Sequence, residues 1–367
     1  MGSGPGEDPG WSQGASSFNW TREILRAERT PFELVTTELA GLSEVIEVEL
    51  GQCFRSFPAL DGPDVGALRD ALEVRGVRVS VAGLSLDDYH AADRRRSEPE
   101  RLAFLEPQLR AAHRLGAYGV RVPFGQPGPE LIAAAEPLLE ELDLILFQEI
   151  QGHQGPGRPG YDETIATLLD RANPRLRLIL DTSMVTPRLP VTYLEQLAGS
   201  GVPADLVDLV TRAWGEPGTL DVVRGLLAEG GVPGPAMALY VTMVVRFGTW
   251  RVADLAPLMP YVGGVHLKFW DLDDADGRVS GPIREVGALL ARSGFTGSIC
   301  SEWGGHDWYT GPLTAAEITR RHLDLSRSLL SAGDSAPTGA APQPTPSGAA
   351  APGGGGASAA ATTVGRD

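Results

Sequence analysis

From Val45 onward, short apolar runs alternate with amphipathic helical stretches, the pattern of a parallel α/β fold. The apolar runs are Val45–Leu50, Val77–Ala82, Gly119–Pro123, Leu142–Glu149, Leu176–Asp181, Tyr261–Lys268 and Thr296–Glu302. Between them the spacing predicts helices over Val65–Val74, Pro99–Leu115, Glu130–Glu141, Asp162–Ala172 and Ile283–Ser293, with Ala315–Leu330 closing the series. A (β/α)8 TIM barrel of roughly 250 residues or more fits this order within the 367 residues. Closure needs an eighth strand. Phe32–Thr36 is favoured for it over Met237–Val245, so Val191–Pro260 becomes a mainly helical insertion over the barrel mouth, before the seventh strand.

The barrel domain is expected over 18–331. The flanks, 1–17 and 332–367, are rich in Gly, Ser, Ala, Pro and Thr and have little to bury, so disordered tails are expected. A net charge of −16 argues against nucleic acid or an anionic membrane surface as partner. No apolar run is long enough to span a bilayer, and no secretory signal is visible. With two cysteines and no Cys-x-x-Cys, a reducing cytoplasm is the expected location.

In such barrels function sits at the C-terminal ends of the strands. Glu149, Asp181 and Glu302 each end an apolar strand where packing alone would place Val or Ile. His266 and Lys268 alternate with Val265 and Leu267, so both face one side of their strand. Three carboxylates gathered at one point repel one another unless a cation sits among them. Glu149, Asp181, His266 and Glu302 therefore make a candidate site for one divalent ion. Mn²⁺ or Mg²⁺ suits hard oxygen ligands with one imidazole; Zn²⁺, Co²⁺ or Fe²⁺ would also fit.

His153 lies in a glycine-flanked loop and could transfer a proton near pH 7. Lys268 could neutralise a developing oxyanion. Arg121 and His306 are candidates for binding substrate hydroxyls, with Arg121 equally able to pair with Glu149. Trp270, Trp303 and Trp308 could form a platform for a sugar or an aromatic ring. Glu47 and Glu49 could line the mouth, while His90, His113 and His322 read as surface or structural residues.

The order Glu, Asp, His in a V-H-L-K strand and Glu in an S-E strand resembles the xylose-isomerase-like barrels, the sugar phosphate isomerase/epimerase group. The likeness runs from about Val45 to Leu330. The H-L-K-F-W-D and S-E-W-G-G-H stretches, and the long segment between Asp181 and His266, are similar to the metal-binding subunits of bacterial C-glycoside deglycosidases. The first resemblance implies a metal-dependent sugar isomerase or epimerase that removes a proton next to a carbonyl, with an enediolate formed and Glu149 and Glu302 relaying the proton. The second implies a lyase acting on a 3-keto C-glycoside, with His153 as base and a small β-rich subunit as partner. A homo-oligomer is the alternative assembly, and a barrel that only binds a metal or ligand is the non-enzymatic alternative.

Overall fold

The computed structural model describes residues 10–60 and 62–332. Eight parallel strands close into a barrel: β1 (Ser12–Ser16), β2 (Val45–Glu49), β3 (Arg78–Gly83), β4 (Gly119–Pro123), β5 (Ile145–Ile150), β6 (Leu176–Asp181), β7 (Val262–Phe269) and β8 (Ser298–Trp303). Each strand pairs with its neighbours in chain order, and β1 joins β8 to β2. Helices α1 (Gly62–Glu73), α2 (Glu98–Arg114), α3 (Gly128–Glu141) and α4 (Tyr161–Arg171) return the chain between strands. The insertion contributes α5 (Val191–Gly199), α6 (Ala204–Ala213), α7 (Thr219–Ala228) and α8 (Met237–Arg246), and α9 (Ser280–Ser293) and α10 (Ala315–Ala332) complete the outer ring.

Two expectations are corrected. The strand that closes the barrel is β1, which lies inside the segment expected to be a disordered tail. Its register runs Ser12↔Ser298 on one side and Ser16↔Glu47 on the other. The sequence Ser-Gln-Gly-Ala-Ser carries almost no apolar signal, but small residues are what this place accepts. A Cβ on Gly14 would lie 2.2 Å from the Val45 carbonyl oxygen. Phe32–Thr36 is helical instead: Thr30 and Glu33 cap each other reciprocally and Pro31 opens the turn. Residues 1–9 and 333–367, which hold the rest of the two expected tails, lie outside the described residues.

Val191–Gly199 (α5), Ala204–Ala213 (α6), Thr219–Ala228 (α7) and Met237–Arg246 (α8) form the insertion between β6 and β7. They bury a core of their own, which includes Tyr193, Trp214, Tyr240, Met243 and Phe247 and closes on Trp270 and Trp308, just past β7 and β8. That contact puts the insertion on the C-terminal side of the barrel. Asp271 fastens it there, accepting hydrogen bonds from the Thr192 amide and hydroxyl, both at 2.9 Å. Among the described residues, no helix is long and apolar enough to cross a membrane.

Side-chain alternation divides the barrel interior into layers. Val81, Phe147 and Ile179 pack into an apolar floor. Two residues further along the same strand faces the interior turns titratable, with Glu149 above Phe147 and Asp181 above Ile179. The floor keeps water from the underside of that layer, so every charge above it needs a protein partner or an ion.

Candidate metal and catalytic site

Glu149, Asp181, His266 and Glu302 come from β5, β6, β7 and β8, and one ligand-type atom of each lies within 4.8 Å of the others. All four are buried. Register places Asp181 beside His266, and Glu302 beside Lys268. His266 Nδ1 lies 2.8 Å from Glu149 Oε1 and 3.2 Å from Glu302 Oε2. Its Nε2 lies 3.0 Å from Glu47 Oε2, reached across the interior from β2. Lys268 Nζ donates to Glu302 at 2.8 Å. The Arg121 guanidinium bridges Glu149 and Glu49. Gly83 makes room for this, since a Cβ there would overlap the Glu49 carboxylate.

Two groups show what the ion-free arrangement lacks. Asp181 Oδ1 accepts the Ser183 amide at 2.6 Å, but its Oδ2 is buried with no hydrogen-bond partner. Burial raises the Asp181 carboxyl from 3.8 to about 7; Lys268 opposes the shift, while Glu149 and Glu302 add to it. For His266 burial acts downward, but Glu302, Glu47 and Glu149 outweigh it and hold the imidazole well above its usual 6.5. Glu149 goes the other way, to about 2, because Arg121 and His266 outweigh its burial. The shifts thus favour a proton on Asp181 and on His266, the places a cation would serve. The donor set and the orphaned oxygen fit one divalent ion.

A pH dependence follows. Both folded-state pKa values are raised, so the stability these groups confer on the ion-free protein is present at low pH. For Asp181 it is lost as pH rises through about 7. Metal binding requires both groups deprotonated. The rise in melting temperature on adding excess Mn²⁺ is therefore expected to be larger at pH 8 than at pH 6. Calorimetric scans at the two pH values measure it, and equal shifts would contradict the assignment.

The remaining candidates are divided between the mouth and its surroundings. Lys268 Nζ lies 4.5 Å from the centroid of the Phe18 ring and 5.7 Å from that of Trp270. Phe18 in turn meets the His306 ring edge-on at 4.9 Å. His306 is buried, Nδ1 facing Asp307 at 3.1 Å and Nε2 without a partner. Asp307 is also bound by Arg246, the last residue of α8, at 2.9 Å. Trp303 is not brought to the mouth: it belongs to the barrel core and its indole N–H donates to the Trp270 carbonyl at 2.9 Å. Trp270 stacks on Trp308 at 5.7 Å within the core of the insertion. His153 stands outside the four-residue cluster, with its ring 6.3 Å from Trp214 of the insertion. Burial, helped by Arg224 and Arg158, lowers its pKa to about 4, so the imidazole is neutral at pH 7. Its Nε2 has no partner.

His322 is buried against the barrel wall, bonded to Ser301 Oγ at 2.8 Å and stacked on Phe269 at 3.8 Å. The His113 ring meets the Leu142 carbonyl at 2.9 Å. Sequence reasoning gave Glu47 and Glu49 a secondary place and gave none to Phe18, Asp307 or Arg246. The two glutamates did leave a signal, as paired acids on one face of an apolar strand.

The closed eight-stranded parallel barrel and its ring of helices make a (β/α)8 fold, with the acid-and-imidazole cluster inside it. A crystal structure of D-psicose 3-epimerase in the presence of D-fructose matches it with a TM-score of 0.51, at 15% identity over 87% of this chain and 99% of that one. In sequence the chain is similar to the C-glycoside deglycosidase alpha subunit of Arthrobacter globiformis, 27% identical over 302 residues, 80% of this chain and 84% of that one. It is similar also to the 3'-dehydrocarminate deglycosidase alpha subunit of a Microbacterium species, 29% identical over 278 residues, 72% of this chain and 80% of that one. No protein-family model matches.

Proposed function

We propose that this protein is the catalytic, metal-binding subunit of a deglycosidase that cleaves C-glycosides oxidised to a ketone at the sugar 3' position. The observation that carries this reading is the similarity along most of the chain to two deglycosidase alpha subunits, one of them named for a 3'-dehydro substrate. The buried Glu–Asp–His–Glu cluster suits that chemistry. A proton on the carbon between the ketone and the anomeric carbon is acidic. Removing it leaves an electron pair that becomes the new carbon–carbon double bond of the sugar. The bond to the aglycone breaks, and the aglycone carbon takes up a proton.

Glu149, Asp181, His266 and Glu302 would hold a divalent ion, Mn²⁺ or Mg²⁺ suiting the three carboxylates best. Such an ion supplies Lewis-acid stabilisation of negative charge on the substrate oxygen. His153, neutral at pH 7 and with a free Nε2, is the proposed base. Lys268 places a positive charge beside Glu302 at the same mouth. His306, with its free Nε2, is proposed to meet a sugar hydroxyl, and Trp270 the aglycone. Arg121 holds Glu149, and Trp303 supports Trp270 from behind. The relatives are named as alpha subunits, which supports a second subunit as partner, and the proposal makes it a small β-rich one.

The second reading, an isomerase or epimerase, shares the first proton removal. Two carboxylates at one imidazole, Glu149 and Glu302, favour it, because each could serve one face of a carbon. The test supplies a 3'-keto C-glycoside in D₂O to metal-loaded protein, with the partner subunit. Free aglycone is expected, and His153→Ala should slow its release by about 10²-fold or more, the usual range for a lost general base, with metal content unchanged. An epimerised keto sugar carrying deuterium, with no aglycone and only a modest effect of His153→Ala, would replace this reading with the second.

A further inference from the structure

We infer that Glu47 is the residue that orients His266 for metal binding, holding Nε2–H so that Nδ1 faces the ion. This rests on the metal-binding reading above. Three observations carry it. The two ring nitrogens of His266 have separate partners on opposite sides: Nε2 meets only Glu47, at 3.0 Å, while Nδ1 faces Glu149 and Glu302 at 2.8 and 3.2 Å. Glu47 and His266 are both buried, at 2% and 0% exposure, so no solvent competes for the contact. Glu47 comes from β2, on the far side of β8 and β1 from β7, and lies outside the group of four that brings its ligand atoms together.

A neutral imidazole carries one N–H, and the partner of that N–H decides which nitrogen keeps its lone pair. A carboxylate accepting at Nε2 leaves Nδ1 as the ligand atom and makes it more basic. The same contact fixes the ring plane. Without it the ring could turn and present the other nitrogen. A carboxylate at this depth is costly unless it is bonded, and here the imidazole is what bonds it.

Glu47→Gln keeps the shape and a carbonyl acceptor but removes the charge; Glu47→Asp keeps the charge and shortens the reach. Mn²⁺ affinity measured by calorimetry is expected to fall about 10- to 100-fold in Glu47→Gln, the usual range for an outer partner of a metal-bound histidine, with partial recovery in Glu47→Asp. The melting temperature of the metal-free variants tells loss of orientation from loss of fold. The wild-type chain loaded with diamagnetic Zn²⁺ supplies a reading that needs no variant: nitrogen-15 spectra of the histidines should show His266 protonated at Nε2 and bound through Nδ1. Ligation through Nε2, or wild-type affinity in Glu47→Gln, overturns the proposal while the metal reading stands. A wild-type chain that binds no divalent ion overturns both. Two ions per chain, with one lost in Cys300→Ser, would make Glu47 a ligand of a second ion beside Cys300 and likewise overturn it.

Discussion

Protein carrying Asp181→Ala is expected to bind divalent metal at least about 100-fold more weakly than wild type, beyond the usual effect of an outer partner. Turnover should fall with it. Asp181 is fully buried and its Oδ2 has no partner in the ion-free chain. Alanine removes one ligand and one of the negative charges that draw the cation in. The ion-free variant should nonetheless be at least as stable as ion-free wild type at pH 8, because a buried carboxylate disfavoured at that pH has gone. Such a split, metal binding down and ion-free stability level or up, distinguishes a ligand from a packing residue. His266→Ala should lose the metal too, but it strands Glu47, Glu149 and Glu302 without their shared imidazole, so its ion-free stability should drop. Elemental analysis and thermal scans of both variants measure this. Wild-type metal content in the two together would sink the site.

Removing residues 1–16 is expected to abolish cooperative unfolding. Those residues include β1, which supplies the hydrogen-bonded link between β8 and β2. Without it the barrel has two open edges, each a row of unpaired backbone groups. β8 and β2 would lose the neighbour that pairs with Ser301 and Glu47. A milder probe is Gly14→Val, whose Cβ would enter the Val45 carbonyl at 2.2 Å. Overpacking against backbone, which cannot turn away as a side chain can, should cost about 3 kcal/mol, the upper end of the usual range. Circular dichroism melts read both changes. A truncated chain that melts cooperatively near the wild-type temperature would show that β1 does not close the barrel.

What the sequence determined by itself was the repeating order and the chemistry at the strand ends. Period-2 and period-3.6 patterns are local, so β2 to β8 and the outer helices were legible to within a few residues. Glu149, Asp181, His266 and Glu302 were legible because a polar group at the end of an apolar strand violates packing, and four such violations suggest one shared cause. Only the tertiary structure decided which segment closes the barrel. β1 has no hydrophobic signal of its own; its strand character comes from the two neighbours that pair with it, and its small residues from the closeness of the Val45 backbone. Tertiary structure also decided the partners. Glu47 and His266 are 219 residues apart in sequence, and nothing local to either says that one binds the other. Trp303 and His306, three residues apart, meet edge-to-face at 5.9 Å, with the indole packed in the core and His306 set beside Phe18. Ligand types are chosen residue by residue, whereas the nitrogen a ligand offers depends on a contact made across the barrel.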